Sequence, residues 1–284
     1  MQFGEITIHT VSDGTCWQDG GVLFGLVPKA LWERDAEPDD RNRLRLELRC
    51  LLIQTGQTCM LVGTGFGDKL SEDQRAATGL DGSRRLLGDL ERLGIGPQDV
   101  DLVVNTHLHA HHCGGNTSVD PDGTLAPTFP HARYCVQRLE LADARFPNER
   151  TRAWYLGENV APLERDGRLR ILSGDTRLTE QVRVISAPGH TRAHQCVVIE
   201  SGGRTALFVG SAAYWPIHLE RLSWVPAYDV EPLVSIETKR NLARWAVETR
   251  ALLIFEHHPE IEGGYLQATG RPDRFRLEPV PISG

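Results

Sequence analysis

Residues 106–115 read Thr-His-Leu-His-Ala-His-His-Cys-Gly-Gly, so four of the eleven histidines fall within six positions. They follow directly on the apolar run from Val100 to Val104, which reads as a strand. A strand that ends in clustered imidazoles is a way to hold a transition metal at the rim of a sheet, because neutral imidazole is a good ligand for zinc, iron, nickel and copper. Such a chain needs a layered fold whose strand ends gather on one edge, where functional loops meet.

Three more strand-like runs end in notable residues. Val182–Ile185 leads to Ala187-Pro-Gly-His190-Thr191. Thr205–Val209 leads to Gly210-Ser211-Ala-Ala-Tyr214. Leu252–Phe255 leads to Glu256-His257-His258-Pro259. Elsewhere Ile6–Val11 reads as a first strand stopped by Ser12-Asp13-Gly14, residues 19–45 as irregular, and Arg49–Gln54 with Cys59–Val62 as a strand pair. Ser83–Leu93, Arg138–Arg145 and Ser235–Arg250 have helical spacing. Residues 146–163, polar and aromatic, suit a lid. Strands outnumber helices and alternate with them irregularly, so the class is α/β or α+β with a layered core.

The formal charge of -7 and a pI near 5.9 give no reason to expect a nucleic acid or an anionic membrane as partner. No apolar run approaches the roughly 20 residues of a membrane helix, and the N-terminus lacks the pattern of a signal peptide. Six scattered cysteines without a CxxC pair suit reduced thiols. The expectation is a cytoplasmic protein acting on a small molecule, with a homodimer left open.

In order and spacing these motifs resemble the metallo-β-lactamase superfamily, and within it the lactonase-like hydrolases of the quorum-quenching acyl-homoserine lactonase type. The family pattern is HxHxDH, a GHT histidine, a Gly-Asp after a strand and a late histidine. The resemblance covers nearly the whole chain. It implies an αββα sandwich, two mixed β-sheets flanked by helices, as one domain over residues 1–284. It implies that His107, His109 and His190 form a first metal site and that His112 and His257 belong to a second. It also implies that Tyr214 contacts a substrate carbonyl.

Four acidic positions of that pattern are lost. The ligand aspartate of HxHxDH is His111, the bridging aspartate is Ser211, the aspartate of the early VDTG turn is Gly63, and the late His-Asp-Pro is His257-His258-Pro259. Two divalent cations roughly 4 Å apart without an anionic bridge repel by several kcal/mol even at an effective dielectric of about 20. The second site is therefore expected to be weak or empty. One zinc, with manganese or iron as alternatives, is expected at His107, His109 and His190, a ligand set that activates water near neutral pH. A six-histidine pair of sites, with His111 joining His112 and His257, is the next reading. A third has His111 or His112 shuttling a proton.

The expected function is hydrolysis of a lactone or related ester by a metal-bound hydroxide, with Tyr214 donating to the oxyanion. Two rivals are a metal-poor pseudoenzyme that binds a ligand, and another chemistry on the same scaffold, such as hydrolytic dehalogenation or redox at iron. Phe24, Trp32, Phe146, Trp154 and Trp215 are candidates for an apolar substrate pocket, with Ser211 at its base. The plainer readings make Ser211 a small filler, because no GxSxG elbow surrounds it. They make Cys113 a buried small hydrophobe, His194 and His258 satisfied histidines, and Asp13-Gly14 a turn.

Overall fold

A computed structural model describes residues 1–81 and 86–282. Seven strands form one sheet in the order Gln2–Phe3, Ile6–Asp19, Arg43–Gln54, Cys59–Val62, Leu102–Val104, Arg133–Gln137 and Leu169–Leu172. Its first three pairings are antiparallel and its last three parallel. A second sheet runs Thr176–Arg177, Val182–Ser186, Gln195–Ser201, Arg204–Phe208, Leu252–Ile254, Gly263–Ala268 and Phe275–Val280. It is antiparallel except where Arg204–Phe208 pairs with Leu252–Ile254. Both sheets are mixed and both are flanked by helices, the metallo-β-lactamase sandwich.

Period-two alternation builds the layers. Val182, Val184, Val197, Ile199, Ala206, Phe208, Leu252 and Ile254 face Leu51, Ile53, Met60, Val62 and Val104 of the other sheet, all buried. The alternate residues Cys196, Val198, Leu207 and Leu253 turn outward under helix Pro232–Thr249, against Leu242, Ala243 and Ala246. That helix starts on a proline, which needs no N–H partner there, and stops at Arg250 with a positive φ of 51°. On the far side, Cys50, Leu52, Leu61 and Val103 pack against Leu86 and Leu90 of helix Leu86–Arg92.

The pairing directions set where the strand ends emerge. Val182–Ser186 and Arg204–Phe208 are each antiparallel to the strand between them, and Leu252–Ile254 is parallel to the second. All three therefore point the same way, and their loops emerge on one edge.

Several sequence expectations need correction. The first strand does not stop at Ser12-Asp13-Gly14. It continues to Asp19 through a bulge between Ser12 and Thr15, so Asp13 and Gly14 bend a strand and make no hairpin turn. Residues 19–45 are not irregular: they contain short helices at Gly20–Phe24 and Lys29–Trp32, and the next strand already begins at Arg43. The closing hairpin Gly263–Ala268 and Phe275–Val280 went unforeseen. Its strands are short, and proline and charges interrupt their apolar pattern. The start of the helix expected at Ser83–Leu93 lies partly outside the described residues.

Phe208 has no exposed surface and sits between the sheets. Phe208→Ala should cost about 3–5 kcal/mol by urea unfolding; a loss under about 1 kcal/mol would mean that the sheets do not share this core.

Candidate metal centre

The loop after Leu102–Val104 begins extended and then turns into a short helix, Ala110–Cys113, which carries His111 and His112. Its underside rests on the Gly63–Gly67 turn. Thr64 N–H donates to the His112 carbonyl at 2.8 Å, and Gly67 N–H to Asp13 Oδ2 at 2.9 Å. A Cβ on Gly114 would lie 2.1 Å from the Phe66 carbonyl oxygen, so only glycine permits this approach. The glycine-rich turn is a packing device.

The late loop is stapled to strand Arg43–Gln54. Glu47 N–H donates to the His257 carbonyl at 3.0 Å, and His257 Nδ1–H returns a bond to the Glu47 carbonyl at 2.9 Å. The buried Arg49 guanidinium donates to the carbonyls of Phe255 at 2.6 Å and His258 at 3.2 Å. Glu140, fully buried, joins the other loops. Its carboxylate accepts from Leu108 N–H at 2.9 Å, Tyr155 O–H at 2.9 Å and Thr191 O–H at 2.6 Å. Burial pushes its carboxyl pKa up, and these bonds oppose the shift. Sequence reading missed Glu140, which lies on an unremarkable helix, and it missed Asp229 and Glu256.

These loops bring six histidines into two groups. His107, His109 and His190 each place a ring nitrogen within 4.8 Å of the others, and so do His111, His112 and His257. Rings from the two groups also meet, with His107 and His112 at 4.0 Å between centroids. Four of the six have Nδ1 held from outside: His107 by Thr106 at 3.1 Å, His190 by Asp229 at 3.0 Å, His112 by Glu256 at 2.7 Å and His257 by the Glu47 carbonyl. That leaves Nε2 of each facing inward. Burial, then neighbouring imidazoles, push His107, His109, His111 and His112 well below the usual histidine range, and burial pushes His257 down to about 3. These rings are neutral, and each offers a lone pair.

Of their inward atoms, His190 Nε2 lies 3.1 Å from His109 Nδ1 and His112 Nε2 lies 3.1 Å from Ser211 Oγ. The others, His107 Nε2, His111 Nδ1 and His257 Nε2, are buried with no hydrogen bond. Orphaned polar atoms in an interior are costly, and converging lone pairs of neutral imidazoles fit a cation, so the donor set suits a borderline metal such as zinc.

The remaining candidates divide. Ser211 lies at the centre, its Oγ 3.1 Å from His112 Nε2, in a turn whose N–H donates to His194 Nε2. Tyr214 stacks on His257 with centroids 4.7 Å apart and lies 5.6 Å from His190; its hydroxyl is buried and makes no close hydrogen bond, with Ser211 beside it. Trp154 stands 6.4 Å from the His109 ring and 6.3 Å from His111, and its carbonyl accepts from Ala110 N–H at 2.8 Å. Residues 154–155 thus cover the centre, as a lid would. Four aromatic candidates for the pocket are corrected. Phe24 and Trp32 are fully buried and stacked on each other, in a core cluster with Trp224. Phe146 is 84% exposed on the surface. Trp215 packs on His258 and donates to the His257 carbonyl, so it supports the loop. Cys113 is buried and bonded to the Leu108 carbonyl, with burial raising its thiol to about 12.

Residues 49–243 match the family described as the metallo-beta-lactamase superfamily. The chain belongs to that superfamily. An N-acyl homoserine lactonase of Bacillus cereus is 25% identical over 235 residues, covering 78% of this chain and 86% of its own. The N-acyl homoserine lactonase AttM of Rhizobium radiobacter is 24% identical over 199 residues, 66% of this chain and 70% of its own. Among solved structures, a probable metal-dependent hydrolase from Staphylococcus aureus superposes with a TM-score of 0.89 at 29% identity, covering 98% of this chain and 99% of that one. AidC, a dizinc quorum-quenching lactonase, gives 0.82 at 18% identity over 99% and 96%. By family and by its two histidine groups this chain is a metallo-hydrolase. No helix among the described residues is long and apolar enough to cross a membrane.

Away from the centre, His218 is buried against Phe24. Its Nδ1 accepts from Trp215 N–H at 3.1 Å and its Nε2–H donates to the Leu23 carbonyl at 3.1 Å. Burial, then the Lys239 charge, lower its pKa to about 4. The unfolded chain therefore binds this proton first as pH falls below about 6.5, and stability drops from there down to about pH 4. Urea unfolding of metal-free protein should lose up to about 1.4 kcal/mol less per pH unit in His218→Gln than in wild type across that window. Parallel profiles would show that His218 does not titrate this way.

Proposed function

We propose that this protein hydrolyses a lactone or a related ester. The observation that carries the reading is Tyr214: a buried hydroxyl that makes no close hydrogen bond, with Ser211 beside it, stacked next to both histidine groups. A buried hydroxyl without a close hydrogen bond costs free energy unless a ligand accepts from it. A carbonyl oxygen seated over the centre would accept that bond, and the bond would strengthen as negative charge grows on the oxygen. Burial raises the Tyr214 pKa well above its usual value, with the nearby Asp229 adding to this, so the phenol stays a donor.

His107, His109 and His190 would hold a metal that supplies Lewis acidity and lowers the pKa of water. Asp229 fixes the His190 ring with Nε2 turned inward. Trp154 and Tyr228, edge to face at 4.9 Å, wall the space above the centre and would exclude water around the acyl part of a substrate. The reaction adds water across the ester carbonyl, breaks the C–O bond and leaves a carboxylic acid and an alcohol. A proton-shuttle role for His112 has little room, because its Nδ1 faces Glu256 and its Nε2 faces Ser211. The lactonase names of the aligned relatives support the choice of ester over other substrates of the fold.

The test is a lactone and ester screen on zinc-loaded protein. Turnover should vanish in a His107→Ala/His109→Ala variant together with its metal. Tyr214→Phe should keep the metal and lose about 10²-fold in kcat. Loaded wild-type protein that turns over neither lactones nor esters would contradict the reading and favour a ligand-binding descendant.

A further inference from the structure

The histidine centre is closed to solvent. His107, His112 and His257 are fully buried, and His109, His111, His190, Ser211 and Tyr214 are each at most 5% exposed. Its cover is a ring pair, Trp154 against Tyr228, edge to face at 4.9 Å. A cover that leaves no way in must move for a substrate to enter and a product to leave.

The two halves of the cover are held differently. Residues 224–231, which carry Tyr228, are tied to the body of the fold. Ala227 N–H donates to the Val22 carbonyl at 2.8 Å, Val230 N–H to the His190 carbonyl at 3.2 Å, and the buried Lys239 Nζ to the Trp224 carbonyl at 2.6 Å. Residues 147–154, which carry Trp154, bond mainly among themselves. Asn148 Oδ1 accepts from Arg150 N–H at 3.0 Å and Thr151 N–H at 3.2 Å, the Asn148 carbonyl accepts from Arg152 N–H at 2.9 Å, and Trp154 N–H donates to the Thr151 carbonyl at 2.9 Å. A cavity of about 300 Å³ separates Pro147, Asn148 and Thr151 of this turn from Val230 and Glu231. Arg150, exposed at the surface, reaches between the two halves: its Nη2 donates to the Ala227 carbonyl and, at 3.4 Å, to the Asp229 carbonyl.

We propose that Arg150 is the clasp of a gate over the centre. Residues 148–154 swing away from residues 227–229 as a unit and part Trp154 from Tyr228, and Arg150 sets how often they do so. The proposal rests on the reading of the buried histidines as a reaction centre and deepens it. Opening takes the Trp154 carbonyl off Ala110 N–H, 2.8 Å away and between His109 and His111, while Tyr155, bonded to Glu140, is the fixed end of the unit. An exposed guanidinium on backbone carbonyls suits this role. Water competes for its bonds, so they break and remake readily, and the edge-to-face ring contact favours return. The gap is walled by Trp154 and Tyr228 with Tyr214 stacked beyond, 6.3 Å from Tyr228, so it admits an apolar acyl group in preference to a charged one.

The test is amide hydrogen exchange on metal-free wild type, Arg150→Met and Arg150→Lys, with zinc release from loaded protein to excess chelator as a second readout. In Arg150→Met, exchange over residues 148–154 and at Ala110 should rise about 3- to 10-fold. Zinc release should quicken by a similar factor, while zinc content at saturation and exchange in the two sheets stay as in wild type. Arg150→Lys, which still donates to a carbonyl, should lie between the two. Exchange and release equal to wild type would overturn the clasp. Faster exchange in the segment with unchanged zinc release would overturn the gate, because the route to the centre would then lie elsewhere. A rise spread over both sheets with a lowered melting temperature would make Arg150 a general stabiliser and overturn the proposal as well. The exchange readout needs neither metal nor substrate, so a protein that turns over no lactone or ester would sink the hydrolase reading and still leave the gate decided.

Discussion

Six imidazoles converge at the edge of the sandwich, and the rest of the structure serves the cost of that convergence. Bare nitrogens in a dry interior are unfavourable unless a cation takes their lone pairs, and neutral ligands bring no charge to balance that cation. The loops must therefore hold the rings in place. Glu256 and Asp229 each hold the outer nitrogen of one ring.

Holding the rings falls to a few interactions spread over both sheets. Arg49 pins the late loop through three of its backbone carbonyls. Glu140 ties the residue between His107 and His109 to the residue after His190 and to the covering Tyr155. The glycines of the early turn and of the cluster helix let two backbones touch. None of these groups reaches the inward face of the centre, yet each sets where a ligand ring can sit.

Much of this was legible in the sequence because chemistry and period coincide there. Strands such as Val182–Ser186 and Leu252–Ile254 announce themselves by apolar runs, and the histidines follow at their ends. The order of His107, His109, His190 and His257 carried the family. The acids behind the rings were not legible. Glu256 read as part of a loop beside His257, Asp229 lies 39 residues from the ring it holds, and Glu140 lies 32 from Leu108. Such partners are set by tertiary packing, which leaves no local spacing to read. The aromatic candidates failed for a related reason: Phe24 and Trp215 have the composition of a pocket wall, but the irregular segment expected around Phe24 folds into core, and Trp215 buttresses a loop.

The account stands or falls on whether metal sits between these rings. The most direct measurement is a diffraction experiment on zinc-loaded crystals, with anomalous difference density recorded on both sides of the zinc edge. The account predicts a peak bounded by His107, His109 and His190. No density at that group in crystals shown to contain bound zinc would contradict it.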